Sequence, residues 1–142
     1  MTGPQAPGAA APDSAGAPPP PGPGWGWRAV CASEGLREGG DGVRFEVPSP
    51  GAQDVPAFVV RFRGAPRAYL NRCSHVSVEL DWQEGRFFDD TGLYLICSTH
   101  GALYAAEDGA CAGGPCRGRP LATLQTCESA GTVWVAIRTG EI

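Results

Sequence analysis

No lysine occurs in the 142 residues; all eleven basic residues are arginine, two residues are histidine and one is methionine. The missing lysine reads as genome composition rather than function. The arginines form no stripe and the formal charge is −4, which argues against a nucleic-acid partner. No stretch reaches the roughly 18 apolar residues of a membrane span, and the amino terminus lacks a charged-then-apolar targeting pattern. The sequence therefore predicts a soluble, cytoplasmic chain with no membrane partner. A helical hydrophobic period and an internal repeat are absent as well.

What remains is short strands broken by turns. Of the first 24 residues 19 are Pro, Gly or Ala and none is aromatic, so they have little to bury and are expected to be disordered. Residues 25–142 then form one domain of modest core, which a bound metal group would help to stabilise. Strands are expected at 26–33, 42–48, 56–63, 67–72, 92–98, 102–106, 121–129 and 132–138, where β-branched and aromatic residues alternate with polar ones. "EGLREGGDG" and "PSPGAQDVP" carry turn chemistry, and Gly64–Pro66 is the expected turn of a hairpin. This pattern predicts an all-β fold, an antiparallel sandwich or barrel.

Six cysteines in a chain without a secretion signal are expected as metal ligands or free thiols rather than disulfides. Both histidines sit beside cysteines, in "CSH" (73–75) and "CSTHG" (97–101). In an extended segment Cys73 and His75 face the same side, and Cys97 and His100 meet across a turn that Gly101 permits. Two such loops offer two thiolates and two imidazoles. A tetrahedral zinc site uses that set, ordinarily from a Cys pair and a separate His pair. A [2Fe–2S] cluster with Cys₂ on one iron and His₂ on the other also uses it, and mixed loops suit two metals better than one.

The pattern C-x-H, 21 residues, then C-x-x-H-G resembles the Rieske family, and "GGPCRGRPL" (113–121) resembles its proline loop. The resemblance covers roughly 71–121 and implies a β base carrying a small cluster-binding subdomain. It implies one Rieske-type [2Fe–2S] cluster, with Cys73 and Cys97 on the inner iron and His75 and His100 on the outer one. It also implies that backbone N–H groups of Gly101 and Ala102 donate to cluster sulfur and that Pro115 shields the site. The high-potential members carry a disulfide between the two loops, at positions that are Val78 and Thr99 here, and a serine where this chain has Ala102. Losing hydrogen bonds to sulfur lowers the potential, so the low end of the family's range, toward roughly −150 mV, is expected. Tyr104 stands where those proteins place another donor and pulls the other way.

The other cysteines are expected to be plain packing: Cys111 and Cys116 unpaired in the loop, Cys31 and Cys127 in strands. Between the ligand loops, Glu79, Asp81, Glu84, Asp89 and Asp90 are opposed within the segment by Arg86 alone. That run is either a solvated face or a patch that steers a basic partner. Trp82, Phe87 and Phe88 either cover the cluster or anchor the insert. With both histidines assigned, none is left for a mononuclear iron or a general base. The chain is expected to be a non-catalytic, ferredoxin-like electron carrier, monomeric or transiently bound, between a reductase and an oxygenase or other acceptor. A small subunit of a larger oxidoreductase, as in nitrite reductase, and a zinc-stabilised interaction module are the alternatives.

Overall fold

The computed structural model describes residues 23–49, 52–74, 78–81, 83–116 and 118–138. Almost all of the expected amino-terminal tail, together with His75 and Trp82, lies outside them. Ten strands carry the fold: β1 Trp25–Ala32, β2 Val43–Ser49, β3 Ala52–Phe62, β4 Ala65–Leu70, β5 Tyr94–Ile96, β6 Leu103–Ala105, β7 Cys111–Gly113, β8 Thr123–Leu124, β9 Thr126–Ser129 and β10 Thr132–Arg138. They form three antiparallel sheets, β1-β10-β9, β2-β3-β4-β8 and β5-β6-β7. The all-β expectation holds, and among the described residues no helix is long and apolar enough to cross a membrane.

Strand β3 organises the packing. Its run Ala57-Phe58-Val59-Val60 is buried throughout, as in a strand covered on both faces. Val59 joins Leu36, Ala68, Val133 and Val135 in the core beneath the terminal sheet. Phe58, Val60 and Phe62 enter a second core with Leu80, Phe87, Leu95, Cys97 and Tyr104. The period of two thus assigns alternate side chains to the β base and to the smaller sheet β5-β6-β7.

Four local expectations change. The β3–β4 hairpin turns at Arg63–Gly64, both at positive φ (54° and 78°), and Pro66 lies in β4 opposite Arg61. Arginine is an uncommon turn residue at positive φ, so Pro66 drew the expected turn too far along the chain. Most of "PSPGAQDVP" is strand, because β2 reaches Ser49 and β3 starts at Ala52. The stretch 121–129 divides at Gln125, whose carbonyl accepts from the Ala136 N–H at 2.9 Å. Strand β7 was not anticipated, since "CAG" has no alternation to read.

Candidate metal centre

Each ligand loop is closed by its own backbone. Cys97 leaves β5 and faces Ala102 across the hairpin, with its N–H donating to the Ala102 carbonyl at 2.9 Å. The Gly101 N–H donates to the Cys97 carbonyl at 2.8 Å, with Gly101 at φ 77°. Leu95 and Cys97, two apart, share the buried face, and Tyr104 of β6 and Ala102 just before it are buried with them. On the first loop the Cys73 N–H donates to the Val78 carbonyl at 2.8 Å.

This brings two distant thiols together. Cys73 is 3% and Cys97 0% exposed, and both lie in one buried cluster with Tyr104. Burial pushes the Cys97 thiol above its ordinary value, while the Thr99 backbone N–H bonded to it pulls the other way. The Tyr104 hydroxyl lies 3.3 Å from the Cys73 sulfur; burial and that contact push it above its ordinary value, so it keeps its proton as a donor. His100 is at the exposed end of its loop. With His75 outside the description, no group of three or more potential metal donors is assembled among the described residues. Two buried, adjacent sulfurs with an exposed imidazole beyond them fit a group whose sulfur-ligated side is inward.

A short strap, Val78–Asp81, holds both loops, and no local sequence signal marks it. Asn71 is 1% exposed; its Oδ1 accepts from the Leu80 N–H at 2.8 Å and its Nδ2 donates to Asp81 Oδ1 at 3.0 Å. Asp81 Oδ2 accepts from the Gly85 N–H at 2.8 Å and lies 3.5 Å from Arg44 Nε. The Leu80 carbonyl accepts from the Ser98 N–H at 3.1 Å, next to Cys97. One segment thus fastens the base of the first loop and the start of the second.

The insert is not the acidic run its sequence suggests. Arg44, from β2, pairs with Glu79 at 2.5 Å and Glu84 at 2.7 Å as well as approaching Asp81. Asp89 accepts from the Thr91 hydroxyl at 2.7 Å within a local turn. Within the segment only Arg86 opposes these acids, because Arg44 is remote in sequence. The steering charge is correspondingly smaller. Phe87 is an anchor: it stacks on Phe58 with ring centroids 3.8 Å apart, in space that a Cβ on Gly42 would enter at 2.8 Å.

The proline loop also differs from expectation. Cys111 and Cys116 form a disulfide, their Cα atoms 5.9 Å apart. Compartment arguments concern how often disulfides occur; here β7 and the following 3₁₀ turn, Gly114–Cys116, bring the pair within bridging distance. The bridge brackets half-buried Pro115. Cross-linking so short a loop stabilises a fold by about 2 kcal/mol in the chain-entropy model. Cys111→Ser should lower the urea midpoint accordingly, and addition of a dithiol should shift the native protein equally while leaving the variant unmoved. Cys31 and Cys127 are half-buried strand residues whose thiols burial pushes up, which makes them poor nucleophiles.

Comparison with known proteins agrees with this architecture. No curated protein matches the chain. Among solved structures it is similar to a chain in a complex of reduced oxygenase and oxidized ferredoxin in carbazole 1,9a-dioxygenase, with 27% identity and TM-score 0.60, covering 81% of this chain and 97% of that one. It is also similar to the ferredoxin of carbazole 1,9a-dioxygenase from Nocardioides aromaticivorans IC177, at 22% identity and TM-score 0.60, covering 77% and 95%. A chain of another such oxygenase–ferredoxin complex matches at TM-score 0.64 and 23% identity, with 81% of this chain and 29% of that one covered. The Rieske [2Fe-2S] domain model matches residues 26–128, a span that holds both loops, the strap and the bridged proline loop, and the chain belongs to that family.

Proposed function

We propose that this chain is a Rieske-type ferredoxin, a cytoplasmic one-electron carrier whose single functional domain is residues 25–142. Its cofactor is a Rieske-type [2Fe–2S] cluster. Cys73 and Cys97 would hold the inner iron, and His75 and His100 the outer one. When bound, the cluster supplies one-electron exchange at a potential set by its surroundings. The chain's own residues bind it, exclude water on the sulfur side through Leu95, Ala102 and Tyr104, and leave the His100 side open to a partner. The observation that carries this reading is the burial of Cys73 and Cys97, 24 positions apart in sequence, in one cluster.

The partners are a reductase upstream and an oxygenase downstream, in line with the oxygenase–ferredoxin complexes among similar structures. Among the described residues the exposed large apolar side chains are Val78, Leu93 and Tyr94. So few favour transient docking over a permanent subunit interface. Low-temperature electron paramagnetic resonance after dithionite reduction tests the proposal. It requires a rhombic signal with average g below that of all-cysteine [2Fe–2S] ferredoxins. A silent sample containing stoichiometric zinc and no labile sulfide would overturn it in favour of a structural metal site.

A further inference from the structure

Ser74, between the two residues of the first ligand pair, is placed by three hydrogen bonds. Its N–H donates to the Tyr104 hydroxyl oxygen at 3.1 Å. Its Oγ lies 2.9 Å from the Arg119 carbonyl and 2.8 Å from the Tyr104 hydroxyl. Counting protons resolves the directions. A carbonyl only accepts, so the single Ser74 hydroxyl proton goes to Arg119. The Tyr104 proton then has two acceptors, Ser74 Oγ at 2.8 Å and the Cys73 sulfur at 3.3 Å. A cysteine that ligates metal is a thiolate and carries no proton of its own, so at that contact Tyr104 is the donor.

We propose that Ser74 is a positioning residue that draws the Tyr104 proton away from the Cys73 sulfur and thereby holds the cluster's reduction potential down. This rests on the cluster assignment above. A proton donated to sulfur favours the more negative, reduced cluster and raises the potential. A proton shared with Ser74 Oγ does so less. Tyr104 is fully buried, so bulk water does not compete for it. In Ser74→Ala the backbone N–H that orients Tyr104 is retained, while the competing acceptor is removed. The tyrosine proton is left with the sulfur alone.

The test is a redox titration followed by the reduced-cluster resonance, on wild type, Ser74→Ala, Ser74→Thr, Tyr104→Phe and the Ser74→Ala/Tyr104→Phe double variant. Ser74→Ala should shift the reduction equilibrium three- to tenfold toward the reduced form, about 28–59 mV for one electron. Ser74→Thr, which keeps the hydroxyl, should titrate as wild type. Tyr104→Phe should titrate lower, and adding Ser74→Ala to it should change nothing. A Ser74→Ala protein with an intact signal and an unchanged or lower potential overturns the proposal. An equal rise in the Tyr104→Phe background also overturns it, since the effect would then bypass the tyrosine. A wild type without the rhombic signal overturns the cluster assignment and this inference together.

Discussion

Replacing Asp81 with alanine is expected to lower stability by about 2–5 kcal/mol, about 1–3 kcal/mol for each buried donor left unsatisfied. Its carboxylate is fully shielded from solvent and takes the Asn71 Nδ2 and Gly85 N–H donors, with the Arg44 guanidinium beside it. Alanine leaves two buried donors without an acceptor. It also frees the segment whose Leu80 carbonyl anchors Ser98. Set against a typical domain stability of roughly 5–15 kcal/mol, that loss is a large share of the folding free energy and should lower the urea midpoint markedly and reduce the iron retained per chain. Asp81→Asn keeps an acceptor for one donor and should fall between. Glu84→Ala, which removes a pair at a carboxylate 78% exposed, should cost under about 1 kcal/mol. Urea denaturation and iron content measure all three. Equal, small effects of Asp81→Ala and Glu84→Ala would mean that the strap does not hold the loops.

Asp81 also marks where sequence reading stopped. In "VELDWQEG" it looks like its neighbours Glu79 and Glu84, and nothing local distinguishes a buried carboxylate from a solvated one. Its identity depends on Arg44 and Asn71, which only the folded chain brings alongside. The cysteine–histidine loops were legible for the opposite reason. Both histidines of the chain lie in them, and the spacing within each loop is a local property. The strands were readable where one face is buried, and in β3, whose unbroken apolar run reports burial on both faces. The Cys111–Cys116 bridge and the seat of the proline loop were not, because each depends on a turn whose geometry the residue types permit without dictating.

That seat is tested by a single methyl group. Gly114 has φ 78°, and a Cβ on it would stand 2.8 Å from the Gly101 carbonyl oxygen and 3.1 Å from the Ala102 Cα. Both are backbone atoms of the second ligand loop, so neither can yield as a flexible side chain would. Gly114→Ala therefore carries two penalties: left-handed backbone strain of roughly 1–2 kcal/mol and an overpacking cost of about 1–3 kcal/mol. Gly118 separates them. Its φ is 80° with nothing within 4 Å of an added Cβ, so Gly118→Ala carries the strain alone. Gly114→Ala should unfold at lower temperature than Gly118→Ala, and its visible absorbance should bleach faster under a chelator, because the loop bearing Pro115 is lifted from Gly101 and Ala102. Gly118→Ala should bleach at the wild-type rate. Identical bleaching in the two variants would show that water reaches the sulfurs by another route, and that the proline loop stabilises the fold without closing the site.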